Sequence, residues 1–382
     1  MSASMGFFVK TGARDESSEL MGVSHFLEHM MFKGTKTLSA EEVDRAFDNL
    51  GAEHNAFTSG EMTAFWGAGL PEVIGDIHDI LADILRPSLR QKDFDDEKKV
   101  IIEEIAMYDD QPFWVLYENA MEKYYGESAL GYRVLGTPET ISNMKRDALA
   151  EYFTQRYSAD NTTVVLAGNL DFDGMVERIE SVCGSWEKTE AKRNYDNVFR
   201  NGGKFEKHIP DLQQHYHLMI MPSAAFQDEH KHAAIALAAI LGGGDGSRLH
   251  WALVDTGLAE AAATSIDTND GYGEQLAYAV CDPRNAEQVS SIMRTELANV
   301  ADLITEKDVA RVVAKAATGA AIASERPAGR MQRLGSMLTT SGEYISLEDE
   351  LQQIESLTIN DLQEVAELYP WVPVFEASTK HE

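Results

Sequence analysis

Apolar positions along this chain recur with two periods, one helical and one strand-like, and the alternation between them lays out the fold. Ser4–Lys10 is a short apolar run that reads as a strand. Phe26, Leu27, Met30, Met31 and Phe32 then crowd every side of a helix, so that helix is predicted to be buried. Ser39–Leu50 forms the next helix, with Ser39 and Glu42 as a capping box and Gly51 as its stop. Residues 53–58 and 62–69 alternate with turn residues between them, which predicts paired antiparallel strands. Helical periodicity returns over Pro71–Leu85 and again over Asp93–Ile105, the second with an acidic first turn. Helices Trp114–Tyr125 and Arg146–Tyr157, a strand Thr162–Ala167 and an amphipathic helix Phe172–Trp186 complete the first half.

Beyond residue 187 the chain turns polar and loses its period, which places a linker at residues 191–204 between domains 1–190 and 205–382. The second half repeats the order of elements. A strand at Tyr216–Pro222 leads into the helix His232–Leu241, and strands near Ala261–Ile266 and Gln275–Cys281 precede helices from Asn285, Thr305, Met331 and Ile359. Val372–Ala377 reads as a last strand. Strands and helices are segregated rather than strictly alternating, so the expected class is α+β: two structurally repeated domains, each a mainly antiparallel sheet packed with helices.

Composition narrows the partners. The chain has 382 residues, 44% of them hydrophobic, enough to bury sizeable cores in two or three domains. Lys+Arg 33 against Asp+Glu 63 leaves a net charge of −30, which argues against nucleic acid and is compatible with basic peptides or with simple solvation. Cys183 and Cys281 are too few for a disulfide framework and sit in apolar contexts, so buried free thiols in a reducing compartment are expected. No run of 18 apolar residues offers a membrane span. Met1–Val9 has no charged n-region and no cleavage site, so it reads as strand rather than signal peptide. The expected location is cytoplasmic, or periplasmic or organellar if a leader has been removed.

The chemistry concentrates in His25-Phe26-Leu27-Glu28-His29. At about 100° per residue, positions i, i+3 and i+4 fall in one sector of a helix. Two neutral imidazoles there suit zinc, and a catalytic zinc takes three protein ligands plus a water. Glu28, beside the histidines but not needed as a ligand, is placed to take a proton from that water. The order H-x-x-E-H reverses the commoner H-E-x-x-H and is the inverzincin signature. Two core or capped histidines are the bland alternative. Histidine is scarce, however, at 11 in 382 residues, and unpaired imidazoles with a carboxylate on a buried helix are costly.

A third ligand comes from the helix over Asp93–Ile105. Glu97 and Glu104 lie two turns apart and share a face, whereas Glu103 points about 100° away from Glu104. Glu104 is the candidate ligand, with Glu97 one layer back to orient the site; a plain solvated acidic face is the competing reading. His215, His217, His230 and His232 also come close together, but strand and loop spacing does not converge them, and a single metal site per chain is expected.

His25-Phe-Leu-Glu-His-Met-Met-Phe-Lys-Gly-Thr35, Gly51-Ala-Glu-His-Asn-Ala-Phe-Thr58 and Ile102-Glu-Glu-Ile105 together resemble the pitrilysin-type (M16) zinc metallopeptidases. The likeness is to the short-chain branch that includes the mitochondrial processing peptidase and bacterial M16B peptidases, and it runs over nearly the whole chain. It implies zinc on His25, His29 and Glu104, Glu28 as catalytic base and Glu97 as supporting carboxylate. It further implies that Asn55, Ala56, Phe57 and Thr58 lie on an edge strand that holds peptide substrate, and that the two domains form half of a clamshell. In the family the first strand normally follows another strand and turn, which this sequence does not contain.

The second half departs from the family pattern. Leu241-Gly-Gly-Gly-Asp-Gly-Ser-Arg-Leu249 and Gly257-Leu258-Ala259 match a family block. The family's peptidases usually carry an arginine before that Gly-Leu-Ala and a tyrosine after it, to hold the scissile carbonyl and oxyanion. Here Val254 and Glu260 stand there, and a carboxylate repels the charge an oxyanion develops. The leading expectation is therefore a zinc endopeptidase acting as the metal-bearing subunit of a heterodimer whose homologous partner supplies that pair. A self-sufficient homodimer using Tyr272 or Tyr278, and a non-catalytic peptide-binding or structural subunit, are the alternatives.

Overall fold

The computed structural model describes residues 2–195 and 198–380. The chain divides into two compact units, each of mixed helix and sheet. The first comprises Met1–Tyr108, Ser128–Asp196 and Ile322–Tyr344; the second comprises Asp109–Glu127, Asn197–Ala321 and Ile345–Glu382. The units are thus discontinuous along the chain, which differs from the single cut expected at 191–204. The reason is that the sheet built mostly from one half is covered on one face by a helix from the other.

In the first unit, strands β1 (Ala3–Val9), β2 (Glu53–Thr58), β3 (Thr63–Gly69) and β4 (Thr162–Gly168) form an antiparallel sheet in the order β2-β3-β1-β4. Every residue of β1 is buried, because both faces of this inner strand are covered; its mostly apolar run, broken only by Ser4 and Gly6, has that cause. Met5, Phe7 and Val9 enter the main core with Phe26, Leu27, Met30 and Met31. Phe8 points to the opposite face, beneath the helix Pro327–Ser341. Gly335 lets that helix come close: a Cβ there would lie 2.2 Å from the Phe8 ring.

Four helices of this unit carry or flank the His25–His29 stretch and the acidic segment: α1 (Val23–Met31), α2 (Ala40–Leu50), α3 (Ile74–Ile84) and α4 (Gln91–Asp109). The predicted Ser39–Glu42 capping box closes α2, and Gly51 ends it in the left-handed region. Phe26 of α1 stacks on Phe94 of α4 with centroids 4.6 Å apart. That contact lays the histidine helix against the acidic one.

In the second unit, β5 (Gly203–His208), β6 (His215–Ser223), β7 (Ala261–Asn269), β8 (Tyr272–Cys281) and β9 (Phe375–Lys380) form a sheet ordered β5-β9-β6-β8-β7. It is antiparallel except for the β5–β9 pair. Helix α5 (Pro112–Tyr125) packs on this sheet through aromatic contacts: Phe113 with Tyr278, Tyr124 with Phe375 and Tyr125 with Tyr272. Strand β5 goes beyond the expected elements: its Gly-Lys-Phe-Glu-Lys-His has a single apolar residue, and it is a charged edge strand of the kind that discourages further pairing. The last strand starts three residues later than the expected Val372–Ala377. Both cysteines are buried free thiols. Among the described residues no helix is long and apolar enough to cross a membrane.

Candidate metal centre

Helix α1 presents His25, Glu28 and His29 on one side, and α4 brings Glu104 and Glu97 to meet them. His25 Nε2 and His29 Nε2 lie 3.2 Å apart. Glu104 Oε2 is 3.4 Å from His29 Nε2 and 3.7 Å from His25 Nε2. Ligand atoms about 2.1 Å from a tetrahedral zinc lie about 3.4 Å from one another, so these three already stand near the corners that such an ion requires. Among the described residues, His25, His29 and Glu104 form the one group of three or more histidine, cysteine or carboxylate side chains able to hold a metal. Glu103, one residue away on α4, is exposed.

The shell around the three is directional. His29 Nδ1 donates to Glu97 Oε1 at 2.8 Å, which fixes the ring with Nε2 turned toward Glu104 and His25. Glu97 is buried, and its other oxygen is 2.6 Å from Lys33 Nζ. Burial opposes ionisation of Glu97, but His29 and Lys33 outweigh it and hold its carboxyl below the usual range. A hydrogen bond with His29 does the same for Glu104.

Proton affinities within the cluster diverge. Burial, aided by the neighbouring His29, pushes His25 down to about 4. Burial also works against protonation of His29, yet its hydrogen bonds and charge interactions with Glu104 and Glu97 prevail and lift it to about 9. Two carboxylates facing two imidazoles thus favour positive charge between them, and with both rings neutral the donor set is matched to a divalent cation.

Glu28, on the same side of α1 as the two histidines, accepts a hydrogen bond from Thr58 Oγ1 at 2.6 Å. Its burial raises the carboxyl above the ordinary value, partly offset by that bond. Glu28, His29, Phe32, Lys33, His54, Asn55, Ala56 and Glu97 line a cavity of about 320 Å³. Strand β2 runs along it as an outer strand of the sheet, with one row of backbone groups unpaired within the sheet. Of the four β2 residues singled out from sequence, Asn55 and Ala56 line the cavity and Thr58 holds Glu28. Phe57 instead packs with Phe8, Met62 and Trp66 on the other face.

A model of the insulinase-type peptidase family M16 matches residues 1–138, and one of the peptidase M16 inactive domain matches residues 143–316. A protein of Streptomyces coelicolor named an uncharacterized zinc protease is 31% identical over 375 residues, covering 96% of this chain and 82% of that one. A protein of the same description from Mycobacterium tuberculosis is 32% identical over 376 residues, covering 96% and 85%. The chain belongs to peptidase family M16. The crystal structure of a protease from Helicobacter pylori superposes on this M16 chain with a TM-score of 0.93 at 21% identity, covering 100% of it and 94% of the other, and so shows the same fold.

Three contacts of this M16 site were not read from sequence. Lys33 on Glu97 and Thr58 on Glu28 join residues from different elements, and only Thr58's nearness in the family-like Asn-Ala-Phe-Thr stretch hinted at a role. The third is Glu16, whose carboxylate reaches the start of α1. In the second unit Tyr272 and Tyr278 lie against rings of α5. Glu260 is exposed and accepts a hydrogen bond from the Gln214 side-chain amide.

Proposed function

We propose that this M16 chain is a zinc-dependent endopeptidase in which His25, His29 and Glu104 hold the metal and Glu28 is the catalytic base. The observation that carries the reading is the convergence of His25 Nε2, His29 Nε2 and Glu104 Oε2 at separations of 3.2, 3.4 and 3.7 Å. Bound there, zinc supplies a Lewis acid that polarises the scissile carbonyl and acidifies the attacking water. Glu97 fixes the tautomer and orientation of His29. Glu28 takes the water's proton and returns it to the leaving amine, and its raised proton affinity suits both halves of that task. Thr58 holds the Glu28 carboxylate on the cavity side of α1. Substrate peptide adds to the outer edge of β2 beside Asn55 and Ala56, where backbone hydrogen bonds supply affinity and alternate side chains supply selectivity.

The donor for the developing oxyanion comes from a second, homologous M16 subunit. Val254 cannot donate, and the exposed carboxylate of Glu260 carries the wrong sign of charge for the task. A net charge of −30 favours a less acidic partner. Elemental analysis of chain purified without chelator tests the metal, and peptide hydrolysis with and without a homologue carrying arginine and tyrosine tests the partnership. A single zinc, feeble turnover alone and restored turnover in the mixture are expected. Robust turnover by the homogeneous chain, unchanged by any added subunit, overturns the heteromeric reading.

A further inference from the structure

The helix that carries His25, Glu28 and His29 has no capping side chain of its own. Its N-cap is Gly22, at φ +93° with no side-chain hydrogen bond, and a Cβ there would meet the Leu135 carbonyl oxygen at 2.7 Å. The first amides are taken up from upstream. Glu16 Oε2 accepts the Gly22 N–H at 2.7 Å and Glu16 Oε1 accepts the Ser24 N–H at 2.8 Å. Burial pushes the Glu16 carboxyl up to about 8 against the pull of these amides, a cost that a serine or asparagine at the N-cap avoids.

The surroundings hold Glu16 in place. Asp15 is gripped by Arg193 at 2.8 Å and lies 3.7 Å from Arg156. The Ser24 hydroxyl is 2.9 Å from the Tyr152 hydroxyl, which is in turn 2.7 Å from Thr11 Oγ1.

The two ring ligands are held in different ways. His29 is oriented through Nδ1 by Glu97. His25 Nδ1 is buried and has no hydrogen-bond partner among the described residues. With no such tether, the His25 ring goes where packing and the first turn of α1 put it, and Ser24 immediately precedes it. We propose that Glu16 is a positioning residue for the metal centre: by clamping the Gly22 and Ser24 amides it sets the first turn of α1 so that His25 Nε2 meets His29 and Glu104.

This inference rests on the proposed zinc site, and a cap that merely stabilised the helix would lower thermal stability without touching metal affinity. The test is zinc affinity by competition with a chromophoric chelator, together with the visible spectrum of the cobalt(II)-substituted chain. Both are measured below the unfolding temperature for wild type, Glu16→Ala, Glu16→Gln and Val43→Ala. Val43 is buried on α2 and serves as a destabilised control. Glu16→Ala is expected to weaken zinc about 10- to 100-fold, as loss of an outer-shell support does, and to change the cobalt spectrum. Glu16→Gln keeps one acceptor and falls between; it carries the test alone if the alanine variant does not fold. Val43→Ala keeps wild-type affinity and spectrum. Wild-type affinity and spectrum in the folded Glu16 variants, or an equal loss in Val43→Ala, overturn the proposal. Wild type that takes up no zinc overturns the metal reading itself, a separate outcome from zinc binding that ignores residue 16.

Discussion

Each unit of the chain sets two histidines beside a glutamate, and only one of the two arrangements suits a metal. In the first, His25 and His29 are one helical turn apart, and their Nε2 atoms meet at 3.2 Å with Glu104 facing both. In the second, His215 and His217 lie two residues apart on β6 with ring centroids 6.2 Å apart. The glutamate near His217, Glu376 at 3.6 Å, is already engaged by Arg294. Burial first, then His215, Arg294 and Lys204, pushes His217 down to about 3. A carboxylate committed to a guanidinium cannot also neutralise a divalent ion, and cationic neighbours keep the ring neutral without any metal. Residue types are shared between the two clusters; geometry and the sign of the nearby charge decide between them.

The largest expected effect separates the base from the ligands. In the competent assembly Glu28→Gln should retain zinc yet lose turnover by about 10²- to 10⁴-fold or more, since an amide cannot accept the water's proton. His29→Ala should lose the metal as well as the activity. Zinc content and peptide hydrolysis measured on both variants check this, and substantial activity in Glu28→Gln would show that the base lies elsewhere.

A middling effect is expected one layer out. Glu97→Gln keeps the ligands but weakens the grip on His29 Nδ1, and zinc affinity should fall about 10- to 100-fold. An unchanged affinity would mean that Lys33 and Glu97 form an ion pair with no bearing on the site. The matching change in the second unit, His217→Gln, should leave zinc stoichiometry as it is; lost zinc there would collapse the contrast between the two clusters.

The smallest effect is a pH dependence belonging to the second unit. His217 titrates near 6.5 when unfolded and near 3 when folded, so the folded state binds fewer protons at intermediate pH. Its contribution to stability is complete above about 6.5 and declines as pH falls from there toward about 3. Melting temperature followed from pH 7 down to 4 should therefore drop more steeply for wild type than for His217→Gln, with a difference of a few degrees (roughly, from the entropy of unfolding for domains of this size). Parallel curves would remove His217 from the account.

Much of this arrangement was already written in the order of residues. Helical spacing alone put His25, Glu28 and His29 on one face and Glu97 with Glu104 on another, because an α-helix converts a sequence interval directly into an angle. The α+β class and most elements followed from hydrophobic period in the same local way. What sequence could not supply were contacts between elements far apart in the chain. The stacking of Phe26 on Phe94 brings α4 to α1, and no interval in the sequence encodes it. Nor does one encode Thr58 on Glu28, Lys33 on Glu97, or Glu16 on the first turn of α1. Strand β5 and the exchange of α5 and Pro327–Ser341 between units escaped for a related reason. An edge strand carries little hydrophobic signal, and which sheet an amphipathic helix covers depends on which apolar face the rest of the chain leaves open.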